Sequence, residues 1–463
     1  MRMYSQQVEV QFASPQDAVQ ATCTLAPVYG NREWAFSARW DDNNPNSLVM
    51  RERMAEHGLK GTFYLNQTDG KGRFGAQYAR DLLVDGFSIG GHSQTHPKLA
   101  ELAPNAVFYE VLANRIEREA QIDRPINSFA FPYGQYKSQD DPVALEATTR
   151  ALRRSGYHHC VYIDFVNNNP HLAQGEFSTV LQVVPGDRKV NAAKFKERFD
   201  RIFKYKGAYA KASRCISLGV HPWQQGEEWD KLEVLFDELS GRADFWYCNL
   251  TQYAAYYRQQ HFSRIENQPI NEASATRRYV LHRPDPTELG DGVPLTWVIN
   301  GGGVRAVRVD GGPVEFDQGD GTVVVNLPHS PSRALPQKIA HIELPAGAAQ
   351  VADPQECDEF PGAGFLLRPN PDDGVLTLSC RTGDECELGD VRIRFRLPLQ
   401  YETGIIDRHL RGVSAESRET VRVELPPRRR EAVWSGAPHY YVAEVDFSGS
   451  SGPGRIFVTY CVD

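Results

Sequence analysis

Two adjacent aspartates, Asp41 and Asp42, close the apolar run WAFSARW, and two histidines four residues apart, His92 and His96, follow the run FSIGG. Imidazoles at that spacing, in a helical or tightly turned segment, can face a single cation. A carboxylate from another strand end would complete a His, His, Asp facial set with positions open for water and substrate. On an extended chain neighbouring side chains point to opposite sides, so the two aspartates suit different tasks. One can ligate while the other, close but not coordinated, serves as a base toward water. The plain alternatives are a turn with satisfied histidines and an Asp-Asp-Asn-Asn helix cap, although a cap employs only one carboxylate. Three more apolar runs end in chemistry-bearing residues: SFAF in Pro132, Tyr133 and Gly134, HHCVYI in Asp164, and CISLGV in His221, Pro222 and Trp223.

Something must bring these five run ends to one rim. Between about Trp34 and Ser263 the runs alternate with helical stretches such as NSLVMRERMAEHG and NAVFYEVLANRIEREAQ, several of them closed by a Gly suited to a left-handed C-cap. Repeated strand–helix alternation predicts an α/β domain on a parallel sheet, closed or nearly closed into a barrel. Catalytic groups then gather at the C-terminal strand ends. From about residue 265 the helical texture stops. Short alternating runs separated by Gly, Pro and Asp predict an all-β, sandwich-like region. The expected organisation is an N-terminal extension over 1–33, a catalytic domain over 34–264 and a β-rich region over 265–463. The Pro-, Gly- and Ala-rich stretch 336–371 marks where that last region could divide.

The chain of 463 residues is 41% hydrophobic and 24% charged, enough to bury a sizeable core and too ordinary for a disordered or collagen-like protein. Its formal net charge of −8 supplies no global field for nucleic acid, and no local basic patch stands out. No apolar stretch reaches the ~20 residues that span a bilayer, so no transmembrane helix is expected. The first residues lack the continuous apolar core of a secretion signal. A cytoplasmic location is expected on the sequence as given, or a secreted or periplasmic one if a leader was removed. Cys160, Cys215 and Cys248 read as buried thiols, whereas Cys357, Cys380, Cys386 and Cys461 could pair in an oxidising compartment.

The segments RWDDNN, GGHSQTHPKL, AFPYGQY, VYIDF and SLGVHPW occur in that order. Residues 34–260 thereby resemble the NodB-like polysaccharide deacetylase domain of carbohydrate esterase family 4. The resemblance implies a distorted (β/α)7-type barrel and one divalent cation, usually zinc, with cobalt or nickel as alternatives. It implies Asp42, His92 and His96 as metal ligands, Asp41 as catalytic base, and His221 as the acid that protonates the departing amine. It further implies Tyr133 as the residue whose backbone N–H helps to hold the oxyanion. Three departures stand out. Asn43 and Asn44 follow the aspartates where the family usually has Gly; Ala130 replaces the arginine that often orients the base; and Asp164 lacks the usual Asp-Trp ending.

The expected reaction is removal of N-acetyl groups from an acetylated amino sugar or polysaccharide. Amide hydrolysis needs an activated water, a stabilised oxyanion and a proton donor, and the residue set covers all three. Two other readings stay open: hydrolysis of a non-sugar C–N bond on the same barrel, and an inactive carbohydrate-binding protein. Trp223 could offer a stacking face to a sugar ring or be a core aromatic. Tyr136 is a weaker candidate of the same kind. The alternating Arg392, Arg394 and Arg396 read as a solvated sheet face rather than an anion-binding stripe.

Overall fold

The computed structural model describes residues 1–66, 74–134, 142–161, 181–219, 221–319, 321–345, 353–429, 438–449 and 452–462. Asp164 and Tyr136 lie outside them. The protein is mixed α/β. Its eight-stranded sheet comprises β1 (Trp34–Asp41), β2 (Gly61–Leu65), β3 (Ser88–Gly91), β4 (Ser128–Ala130), β5 (His159–Val161), β6 (Leu181–Val183), β7 (Cys215–Leu218) and β8 (Phe245–Tyr247). The spatial order is β5-β4-β3-β2-β1-β7-β6, with β8 also paired to β1. Pairing of β1 with β2, β7 and β8 is parallel throughout. All eight residues of β1 are buried, as expected of a strand covered on both faces in a parallel sheet.

Helices separate the strands in sequence: α1 (Asn46–Glu56), α2 (Pro104–Ile122), α3 (Pro142–Ser155), α4 (Ala192–Lys204), α5 (Glu228–Leu239) and α6 (Leu250–Phe262). The start of α2 follows from Pro104 at its first turn, where the missing N–H costs nothing. It stops at Asp123, which adopts a left-handed conformation at φ 53°. Among the described residues, no helix is long and apolar enough to cross a membrane.

The chain divides into two compact units. The first comprises Met1–Tyr64, Leu82–Gly90 and His158–Ala334. Within it, the strand Met3–Phe12 alternates exposed and buried residues and pairs antiparallel with Thr276–Pro284 and Val304–Val309. Val8, Val10 and Phe12 thereby join Tyr279, Leu281 and Trp297 in one apolar cluster. The second unit comprises Leu65–Asp81, Gly91–Tyr157 and Leu335–Asp463. Two sheets of its C-terminal part, antiparallel except where Lys338–Leu344 pairs parallel with Gly452–Val462, share a core that includes Phe365, Leu367, Leu378, Ile393, Phe395, Val445 and Val458. All eight cysteines are free thiols.

Candidate active site

Asp41 ends β1 and is buried. Both of its oxygens are held by Arg39, whose Nε donates to Oδ1 at 2.8 Å and whose Nη2 donates to Oδ2. The two side chains meet because residues two apart on a strand share a face. Asp42 leaves that alternation: its φ of 69° turns the chain out of the strand, so the adjacent carboxylates separate. The turn is closed by Asn44, whose Oδ1 accepts from the Asn46 backbone N–H at 2.9 Å at the start of α1.

The histidines sit on the loop that follows β3. Nδ1 of His92 stands 2.8 Å from the Ala130 carbonyl oxygen, which can only accept, so Nδ1 carries a proton and Nε2 is the nitrogen that could face a cation. The His92 backbone N–H donates to Oδ1 of Asn114 at 3.0 Å. Glu110 clamps the next turn, accepting from the Thr95 N–H at 2.8 Å and the Thr95 hydroxyl at 2.7 Å. Gly91 is required before it, since a Cβ there would collide with the Tyr157 hydroxyl and with Asn114. His96 packs edge-on against Tyr133 at 4.7 Å between ring centroids.

Ser93, His96 and Tyr133 join Asp42 in the left-handed region, with φ of 62°, 61°, 57° and 69°. Such conformations cost of order 1–3 kcal/mol each and persist where the surroundings over-determine them, typically at functional sites.

His221 follows β7. Its Nε2 lies 3.7 Å from Oδ2 of Asp42, and its Nδ1 faces Oδ1 of Asp187 at 3.3 Å. Burial lowers the basicity of His221, but the close Asp187 carboxylate and the charges of Asp41 and Asp42 outweigh it. The pKa therefore stands above the ordinary histidine value. Gln224 fixes the Asp187 turn by donating to the carbonyls of Gly186 and Asp187 at 3.2 and 3.0 Å. Trp223 stacks on His221, with ring centroids 4.2 Å apart and planes 8° from parallel. One of its faces is therefore occupied by the imidazole.

One ligand atom from each of Asp42, His92 and His96 lies within 4.8 Å of the others. A carboxylate and two imidazoles, one with its tautomer fixed by a backbone carbonyl, fit a divalent cation of the zinc, cobalt or nickel type. Residues 40–152 match the polysaccharide deacetylase family. The matched segment contains Asp41, Asp42, His92, His96 and Tyr133; His221 lies beyond it. The chain matches no curated protein. Among solved structures it is similar to a family 4 acetyl xylan esterase from Clostridium thermocellum in complex with a cobalt ion, at 14% identity over 47% of this chain and 89% of that one, TM-score 0.31. It is also similar to the peptidoglycan deacetylase PdaC from Bacillus subtilis, at 16% identity over 49% and 91%, TM-score 0.30. A third is BA3943 from Bacillus anthracis, a family 4 pseudoenzyme, at 14% identity over 49% and 66%, TM-score 0.31.

Four residues that bear on this candidate site escaped the sequence reading. Arg39 was legible in principle, standing one strand period before Asp41. Asp187 lies in the turn after the three-residue strand β6, too short to signal itself, although Pro185-Gly186-Asp187 marks that turn. Glu110 and Asn114 lie within α2, where polar residues read as a solvated face.

Proposed function

We propose that this chain is a metal-dependent hydrolase that removes N-acetyl groups from an acetylated amino sugar or polysaccharide, working on a distorted (β/α)7-type barrel. The observation that carries the reading is the approach of Asp42, His92 and His96 to within 4.8 Å, on motif positions of the matched family. These three residues would hold the cation, for which zinc is the first choice and cobalt or nickel suit the same donors. When bound, the cation supplies Lewis acidity and makes water a better nucleophile at neutral pH.

Asp41, oriented at both oxygens by Arg39, accepts the proton of the attacking water. The Tyr133 backbone N–H donates to the carbonyl oxygen as it becomes an oxyanion, a kind of contact worth about 3–4 kcal/mol. His221, its basicity raised by Asp187, gives a proton to the departing amine nitrogen as the C–N bond breaks. The C–N bond is exchanged for a C–O bond to water, and acetic acid and the free amine leave, the acid giving up the water's other proton to solvent. The two protons balance: Asp41 receives one and His221 gives one.

Acetate release from N-acetylglucosamine oligomers, measured on zinc-loaded and chelator-treated protein beside a panel of simple amides, tests the reading. Metal-dependent release from the oligomers alone is expected. Release from the simple amides alone would move the protein to non-sugar C–N hydrolysis, and no release from either would refute the hydrolase.

A further inference from the structure

Helix α2 carries many charged residues, yet it is buried on two opposite sides. A charged surface helix normally leaves one side to water. Glu110 and Glu119 are both buried and stand nine residues apart, which at about 100° per residue sets them on opposite faces. The Glu110 face, with Asn114, holds the histidine loop through the backbone N–H groups of Thr95 and His92.

The Glu119 face meets the strands of residues 338–462. Glu119 accepts from Nε of Arg115 at 2.7 Å and lies 3.3 Å from Nη1 of Arg455. Arg455 also pairs with Glu444 at 3.2 Å and Asp446 at 2.6 Å. Glu444 in turn accepts from Nε of Arg396 at 2.7 Å and faces Arg115 at 3.7 Å. Three guanidinium groups and three carboxylates thus close a neutral network, and only Asp446, at 15% side-chain exposure, reaches water appreciably. The helix ends are tied as well. Asn105 accepts from the Leu399 N–H at 2.7 Å, and Asp123 accepts from the Ile339 N–H at 2.9 Å.

Apolar packing is non-directional and would let a helix slide or roll. A buried ionic network does not, because any shift leaves a charge uncompensated in a poorly polarisable interior. We propose that the β region of residues 338–462 sets the position of α2 and, through Glu110 and Asn114, of the His92–His96 loop. Glu119 and Arg455 are accordingly positioning residues for the two histidines. This role answers why Arg396, unlike the half-buried Arg392 and Arg394 of the same strand, is sealed from solvent. The consequence for metal rests on the hydrolase reading above; the placement of the loop does not.

The test compares two variants of the full chain. Glu119→Gln with Arg455→Met removes one charge of each sign, so the network gains no net charge. Val421→Ala removes apolar bulk from the core of the same β region without touching α2. Two quantities are read: amide hydrogen exchange at Thr95 in metal-free protein, and the affinity for Co²⁺ by titration. The double variant is expected to speed Thr95 exchange and to weaken Co²⁺ binding about tenfold, as loss of support behind a metal ligand does. Val421→Ala is expected to lower the melting temperature and change neither. Unaltered Thr95 exchange and Co²⁺ affinity in the double variant would overturn the proposal. If the double variant does not fold, Asn105→Ala, which frees the N-terminal end of α2, is read in the same way. If wild-type protein takes up no Co²⁺, the metal reading fails, and Thr95 exchange alone decides the positioning claim.

Discussion

Arg39 and Asp41, two residues apart on one strand, meet as a buried ion pair through two guanidinium nitrogens. The site thus draws the partner of its proposed base from the base's own strand, while the position where the family often carries that arginine holds Ala130. The pair makes a sharp expectation. Arg39→Met leaves a buried carboxylate uncompensated and should cost roughly 3–5 kcal/mol of stability with loss of turnover. Adding Asp41→Asn should recover most of the stability and none of the turnover. Urea unfolding of the two single variants and the double measures the coupling; additive losses would show that the pair is not coupled.

Asp187 should matter for rate and not for metal. Asp187→Asn keeps the shape of the turn that Gln224 holds, but removes the charge facing Nδ1 of His221. Turnover is expected to fall about 10–100-fold with metal content unchanged. Loss of metal in this variant, by elemental analysis, would mean that Asp187 serves the cation and not the imidazole.

His159 links stability to pH. It is fully buried, and burial together with the Arg39 charge pushes its pKa down to about 3. In the unfolded chain it titrates near the ordinary value of about 6.5. Between those values the unfolded state binds the extra proton, so this group's contribution to stability is complete above about pH 6.5 and falls as pH is lowered toward 3. The slope is at most about 1.4 kcal/mol per pH unit. His159→Gln should flatten the stability profile between pH 6.5 and 4, as followed by urea unfolding. An unchanged slope would show that His159 is protonated in the folded state.

Much of this arrangement was legible because strand ends announce themselves. The apolar runs before Asp41, His92, Tyr133 and His221 are bounded by turn residues, and each closes on or just before a site side chain. The supports were harder to read for physical reasons. Glu110, Asn114 and Glu119 each read as a solvated position, because sequence periodicity does not distinguish water from a packed polar neighbour. The strand Met3–Phe12 shows clean two-residue alternation, but its partners lie some 270 and 300 residues away, and local pattern carries no information at that range. Asp187 follows a strand of only three residues, below the length at which alternation can be recognised.

The central claim is that Asp42, and not Asp41, shares one cation with His92 and His96. Zinc content after reconstitution, measured on wild-type protein, Asp42→Asn and Asp41→Asn, tests it most directly. One equivalent in wild-type, one in Asp41→Asn with turnover down about 10²–10⁴-fold, and a clear deficit in Asp42→Asn is the predicted result. Retention of the ion by Asp42→Asn with its loss from Asp41→Asn would contradict the assignment.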